Sequence, residues 1–392
     1  MDNHIPFNSP FVSGNELRYI QEAIDKRWLA GNGFFTQKCQ DWLKNSVSCK
    51  AVLLTHSCTA ALEMIGLLLK LQPGDEVIMP SFTFSSTANA FVLRGAVPVF
   101  VDIREDTLCI DERLIEAAIT EKTKAIVVVH YAGVPCEMDT IMAIAKKHHL
   151  YVIEDAAQGI FSTYKGRPLG SIGHLAALSF QETKNIISGE GGALLINDEA
   201  FIERADYLWE KGTNRKQFVN GLVDKYTWVD VGSSFLPSEM IAAFLWAQLE
   251  QGEAINNRRL AIWKKYHSAF ADLEAQGIIR RPFIPENCKH NGHIYYLLLQ
   301  NKILRDQFIK KMNASNINAT FHYIPLHSAI AGRKFGRADG DMNNTDDLSG
   351  RLVRLPLWIG VEPYLDRVID SVNSQCLSEN QGEVSANLSM ST

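Results

Sequence analysis

Short runs of Val, Ile and Ala alternate along the chain with segments whose apolar residues recur every three or four positions. From Ser57 to Leu71 the helical spacing is carried by Ala61, Leu62, Met64, Ile65, Leu68 and Leu69, and Gln72-Pro73-Gly74-Asp75 stops it. Strand-like runs come next at Glu76–Met79, Val97–Val101, Ala125–His130 and Tyr151–Glu154. Helical segments at about Thr83–Arg94 and Glu137–His149 lie between them. Strands alternating with helices predict an α/β domain whose mostly parallel sheet is buried on both faces. Two further runs, Ala176–Phe180 and Ala193–Ile196, flank a glycine-bearing loop and predict a hairpin-like pair.

Beyond this point the pattern changes. A helix is expected at about Glu199–Lys211, then a long helical stretch from Ser238 to Leu273, bent near Gly252. From Gly277 a smaller α+β unit is predicted: strand His293–Leu299, helix Leu304–Ala314, strand Ala319–Ile324 and a last helix at about Tyr364–Cys376. The expected organisation is a large domain over residues 1–252, a small C-terminal domain over 253–377, and a polar, disordered tail over 378–392.

Composition changes the picture mainly by exclusion. With 46% hydrophobic and 21% charged residues in 392, the chain can bury a sizeable core. A net charge of −5 gives no broad nucleic-acid footprint, so an anionic ligand needs a local site. No apolar run approaches the roughly 20 residues of a membrane span, and no secretory signal opens the chain. Seven scattered cysteines without a CxxC suggest neither a disulfide framework nor a metal site, and a cytoplasmic location is expected.

Four segments carry candidate chemistry. In Tyr151-Val-Ile-Glu-Asp-Ala-Ala-Gln158, Asp155 ends an apolar strand, where a buried charge needs a partner such as a cationic ring nitrogen. A helix cap or a structural ion pair would explain the same acid. In Ser179-Phe-Gln-Glu-Thr-Lys184, followed by Ser188-Gly-Glu-Gly-Gly192, a turn can present an amine to the same pocket; a solvated lysine is the plain alternative. Thr55-His-Ser-Cys-Thr-Ala-Ala-Leu62 puts hydroxyls and free amides at a helix start, suited to phosphate or to ordinary capping. Pro80-Ser-Phe-Thr-Phe84 places aromatics at a strand-to-helix junction, to stack on a planar ring or to fill core.

In this order, with HYAG, EDAAQ and GEGG between and after them, the segments resemble the DegT/DnrJ/EryC1/StrS sugar aminotransferases, from about Ile5 to Ile369. The resemblance implies the fold of type I pyridoxal-phosphate (PLP) enzymes: a large domain with a mostly parallel central sheet and a smaller α+β domain. It implies Lys184 as the lysine that holds PLP covalently, Asp155 on the pyridine nitrogen and Gln158 near the ring hydroxyl. Ser179 and Thr59, with the amides of Cys58 and Ala60, fall on the phosphate cradle, and Phe84 on the stacking position. His327 is similar to a histidine on the sugar side. Ser234, in Gly232-Ser-Ser-Phe235, stands where relatives have an asparagine that reaches the phosphate of a neighbouring subunit. Expected ligands are a nucleotide-linked keto-sugar and L-glutamate, and a homodimer or larger homo-oligomer is expected. A related dehydratase branch has histidine in place of Lys184, and the intact Lys184, Asp155 and Gln158 speak against a silent binding protein.

Overall fold

In the computed structural model, which describes residues 4–389 and side chains as far as Leu377, eight strands form one central sheet. Their spatial order is Ala51–Thr55, Gly192–Ile196, Leu175–Ser179, Tyr151–Asp155, Thr123–Val129, Glu76–Pro80, Val97–Val101 and Arg337–Ala338. Pairings from Leu175–Ser179 through Arg337–Ala338 are parallel. Gly192–Ile196 alone runs the other way, antiparallel to both neighbours. The expected hairpin-like pair is therefore present, with Ser179 opposite Gly192 and Leu175 opposite Ile196.

Side-chain alternation explains why these strands read as unbroken apolar runs. Ile126, Val128 and Val152 face one layer, packed with Ile141 and Ala145 of the helix Met138–His148. Ala125, Val127 and Ile153 face the other, against Leu62 and Ile65 of the helix Cys58–Leu68. With both faces covered, the middle positions of these strands are apolar on both sides, and burying each large side chain contributes about 1.5–3 kcal/mol. The bend expected near Gly252 separates the helices Glu239–Glu250 and Gly252–Ala269. A Cβ on Gly252 would lie 2.7 Å from Phe161 Cζ, so a larger residue would push that ring aside.

The second of these helices leads from one core to another. Ile255 packs with the large-sheet core, whereas Ile262, Trp263 and Tyr266 belong to the core of a three-stranded antiparallel sheet. That sheet pairs Ile279–Arg280 with Tyr295–Leu299 and the latter with Leu352–Leu355. Ile5 is buried in the same core. The last helix runs Leu365–Ser389, and the tail expected over 378–392 lies outside the residues whose side chains are described. No helix among the described residues is long and apolar enough to cross a membrane.

The structure adds elements before Ser57 that the sequence pattern left out, the helices Glu16–Asp25 and Phe34–Val47 and the strand Ala51–Thr55, and it differs further along the chain as well. The strand expected over Ala319–Ile324 is absent; only Thr320 bridges to Arg354, and the rings after it turn away from the sheet to pack on Phe82 and Tyr131. Conversely, Arg337–Ala338, too short for any periodic signal, joins the edge of the large sheet. Its Arg337 guanidinium grips Glu76 at 3.0 and 3.1 Å.

A fully buried polar cluster pins the middle of the sheet. Glu154 accepts the Nε2–H of His130 at 2.9 Å and the amides of Gly170, Ile172 and Gly173 at 2.6–2.8 Å. His130 Nδ1 accepts the Cys136 amide, which leaves the ring hydrogen on Nε2. Burial pushes the Glu154 carboxyl up, but His130 and the amides outweigh it and hold it below the ordinary value. A lowered carboxyl stabilises the fold fully above its unfolded pKa, and that contribution fades as pH falls through the folded one. Glu154→Gln is expected to lose roughly 2–4 kcal/mol at pH 7 in urea unfolding, because buried donors lose their charged acceptor. The acid-side decline in stability should be shallower in the variant than in the wild type.

Candidate active site

The carboxyl ends of the parallel strands open onto one cavity of about 1070 Å³. Asp155, the last residue of its strand, is buried there. Its Oδ2 accepts the Thr87 hydroxyl at 2.8 Å, and Thr87 is in turn paired with Thr83 at 2.8 Å; its Oδ1 accepts the Ala157 amide at 3.2 Å. Burial raises the Asp155 carboxyl above its ordinary pKa, while Thr87, the Ala157 amide and the nearby Lys184 pull the other way.

Lys184 reaches the cavity from the loop that closes the antiparallel pair. The loop is tied along its length: Ser188 N–H donates to Phe180 O at 2.7 Å, Glu182 N–H to Gly189 O at 2.8 Å, and Lys184 N–H to Gln181 O at 2.8 Å. The next residue, Asn185, is buried and anchors the turn to the segment 291–293. Its amide donates to Asn291 O at 2.9 Å, and its carbonyl meets His293 Nδ1 at 2.9 Å. Burial lowers the Lys184 pKa, the Asp155 carboxylate opposes this, and the Arg354 cation reinforces it. The chain thus keeps an amine that gives up its proton easily beside an acid that resists ionising.

The helix Cys58–Leu68 begins on the same rim. Ser57 caps it, its Oγ accepting the Ala60 amide at 3.1 Å. The amides of Cys58 and Thr59 have no acceptor among the described residues, so two N–H groups and the helix dipole face the cavity. A Cβ on Gly192 would lie 2.4 Å from the Cys58 nitrogen, and only glycine lets the neighbouring strand pass there. Burial drives the Cys58 thiol well above its ordinary pKa, which makes it a packing group and not a nucleophile.

Seven of the residues picked from the sequence line this cavity: Cys58, Thr59, Phe84, Asp155, Gln158, Ser179 and Lys184. Gln158 accepts the Ala132 amide at 2.6 Å and donates to the Tyr323 hydroxyl at 2.8 Å, which fixes its orientation. Phe84 is 59% exposed, with its ring 6.3 Å from Tyr323. Three residues are placed elsewhere. Ala60 is buried beneath the rim with its amide taken by Ser57. Ser234 is exposed and bridges to Glu210, away from the lining. His327 sits in a short 3₁₀ turn, its Nδ1 on Ser81 Oγ at 2.7 Å and its Nε2 3.4 Å from Asp346, a layer behind the wall.

The structure adds residues that the sequence pattern did not single out: Thr87 under Asp155, and His293, His322, Tyr323 and Arg354 from the C-terminal part of the chain. His322 stacks on Tyr323 with centroids 3.7 Å apart and meets the Tyr131 hydroxyl at 2.7 Å. Burial holds both His293 and His322 well below their usual pKa, so both rings are neutral. His322 and Tyr323 fall within the strand expected over Ala319–Ile324, a pattern that gives no hint that they face the site.

Comparison with known proteins agrees with this geometry. The family model described as the DegT/DnrJ/EryC1/StrS aminotransferase family matches residues 11–373. The spore coat polysaccharide biosynthesis protein SpsC of Bacillus subtilis (strain 168) is 35% identical over 380 residues, covering 94% of this chain and 97% of SpsC. The crystal structure of the aminotransferase TlmJ from Streptoalloteichus hindustanus superposes with a TM-score of 0.88 at 26% identity, covering 96% of this chain and 99% of TlmJ. The sugar aminotransferase Spr1654 from Streptococcus pneumoniae, described as putative and solved in PMP, PLP and apo forms, gives 0.87 at 26% identity in its PMP form, over 95% and 99% of the two chains. With a family match over nearly its whole length, this chain belongs to the DegT/DnrJ/EryC1/StrS aminotransferases and uses pyridoxal 5′-phosphate as its cofactor.

Proposed function

We propose that this aminotransferase moves an amino group from L-glutamate to C4 of dTDP-4-keto-6-deoxy-D-glucose, giving dTDP-4-amino-4,6-dideoxy-D-galactose. The observation that carries the chemistry is the pairing of Lys184 and Asp155 on one cavity, each held away from its ordinary protonation behaviour. A sugar acceptor is supported by SpsC, whose name refers to polysaccharide biosynthesis, and by a volume at the upper end of small-molecule sites. The particular sugar and the galacto product rest on resemblance: GDEVIMPSFTF, AKKHHLYVIEDAAQG and FHYIPLH are similar to dTDP-4-amino-4,6-dideoxygalactose transaminases.

The cavity residues fit the cofactor. The free amides of Cys58 and Thr59, with the hydroxyls of Thr59 and Ser179, would hold its phosphate; Gln158 would sit by the ring hydroxyl and Phe84 against the ring. Bound there, PLP supplies an electron sink for a carbanion next to nitrogen. Asp155 would face the ring nitrogen and keep a proton on it, and Thr87 and the Ala157 amide help the carboxylate stay ionised for that task. Lys184 would hold the cofactor covalently, and its amine would serve as the base that moves the donor's α-proton. Its lowered pKa keeps the amine available for that role. The same residues would serve the donor and the keto-sugar in turn.

A homo-oligomer completes the proposal. The segment 218–231 exposes Phe218, Val219, Leu222, Tyr226, Trp228 and Val231, with Trp228 78% exposed, which suits burial against a second copy. Ser234 comes directly after this segment and would serve the neighbouring site. Seven free cysteines suit the reducing cytoplasm.

Incubation with PLP, L-glutamate and dTDP-4-keto-6-deoxyglucose, followed by NMR of the sugar, tests the assignment. An axial C4 nitrogen is expected; an equatorial one would replace galacto by gluco. Absence of amino sugar despite a glutamate-dependent change in the near-visible band would mean a different acceptor. Lys184→Ala should abolish turnover and the covalent near-visible band while still retaining pyridoxamine phosphate on gel filtration. Thr87→Val removes a hydrogen bond to the charged form of Asp155, so the acid limb of the kcat profile should move to higher pH. At neutral pH its kcat should fall by about tenfold, the loss of about 1.4 kcal/mol that such a bond is worth.

A further inference from the structure

Arg354 is a cation on the cavity wall without an acid to pair with. It lies on the small-domain strand Leu352–Leu355 and lines the same cavity as Lys184, Asp155 and Gln158. No carboxylate stands within ion-pair distance of it among the described residues. The guanidinium is nevertheless held in place on two sides. Its plane covers the Phe7 ring at 4.6 Å, and its Nε and Nη2 both donate to Phe321 O, at 3.3 and 3.2 Å. One edge of the fork is thereby used, and the opposite edge, Nη1 with the outer hydrogen of Nη2, has no protein acceptor among the described residues. A planar, half-buried fork with a free edge matches a carboxylate in the bidentate arrangement.

We propose that this free edge of Arg354 receives the α-carboxylate of the amino donor and so fixes the donor carbon in front of Lys184. The inference rests on the aminotransferase reading and names a contact that reading leaves open. Apart from the cofactor phosphate, which has its own seat at the helix start, the cavity has to accommodate the α- and side-chain carboxylates of the donor and the diphosphate of the nucleotide sugar. Only the α-carboxylate is bonded directly to the carbon whose proton Lys184 moves; the side-chain carboxylate is held off by two methylenes and the diphosphate by the sugar ring. The cation that serves the α-carboxylate must therefore be the one beside the lysine. Arg354 meets this condition, since its charge acts on Lys184, on His293 and on His322. The other arginine of the lining, Arg259, is already committed to the protein. It clamps the Gly292 and His293 carbonyls, and burial lowers its pKa to about 10.

The test uses the PLP-loaded enzyme and the donor half-reaction alone, read as the glutamate concentration that half-saturates the change in the near-visible band. Arg354→Leu is expected to raise that concentration about 100-fold, the scale of a lost charge-assisted pair. Arg354→Lys should recover part of the loss, and guanidinium ion should partly rescue Arg354→Ala. The α-amide of glutamate keeps the amine and the side-chain carboxylate but lacks the α-carboxylate charge. It should compete about 100-fold more weakly than glutamate against the wild type. Arg354→Leu should impose no further penalty on it. The half-saturating keto-sugar concentration, measured on the pyridoxamine form, should change by less than about twofold.

An unchanged glutamate response in Arg354→Leu, or an α-amide that competes as well as glutamate, would overturn the inference. So would an equal loss for donor and sugar, as from a merely structural arginine, or a loss for the sugar alone, as from a diphosphate seat. If the wild-type band responds to no amino acid at all, the proposed function falls and takes this contact with it.

Discussion

The antiparallel pairing of Leu175–Ser179 with Gly192–Ile196 is the constraint on which the site depends. In a sheet whose other central neighbours run parallel, this one reversal makes the chain fold back at the carboxyl ends of the strands instead of crossing over through a helix. The fold-back loop is where Lys184 sits, and the strand before it ends on Ser179. The returning strand must then pass the first residue of the Cys58–Leu68 helix, which only Gly192 allows. An amine, a hydroxyl and a helix end with free amides are thus brought to one rim by a single local pairing.

Adjacent residues on the next strand show how the same burial serves two purposes. Glu154 and Asp155 are consecutive and therefore face opposite sides of the sheet. Glu154 has four donors and is a finished structural joint. Asp155 has only Thr87 and one amide, and its carboxyl stays raised. A carboxylate left short of partners is a poor contribution to stability and a good receptor for a cation that arrives with a ligand. Lys184 is the complementary case, an amine whose desolvation outweighs the pull of the neighbouring Asp155.

Much of this was legible in the sequence because parallel strands buried on both faces are continuous apolar runs, and such sheets present ligands at the carboxyl ends of those runs. Asp155, Ser179 and Lys184 stand at those ends, and the hydroxyl-rich helix start is beside them. Less legible was whatever depends on distant segments meeting. Thr87 reads as a helical threonine until Asp155 is placed next to it. Arg354 reads as one more strand residue until Phe7, more than three hundred positions earlier, is found under it. His327 and Ala60 show the converse: sitting in a motif did not put their functional atoms in the cavity, because Ser81 and Ser57 already hold them. Arg337–Ala338 escaped notice because two residues carry no period.

The seating of the N-terminal segment has a consequence for the order in which the protein can be made. Ile5 exchanges backbone hydrogen bonds with Asn316 and Asn318, Pro6 accepts the Trp358 indole, and Phe7 and Asn8 line the cavity. Residues 5–7 are made more than three hundred positions before Asn316, Asn318, Arg354 and Trp358, the partners that seat them. The strands around Asp155 and Lys184 can assemble while translation continues, but the wall formed by Phe7 and Arg354 closes only once Arg354 has emerged. A chain synthesised only as far as Lys184 therefore holds an unfinished pocket.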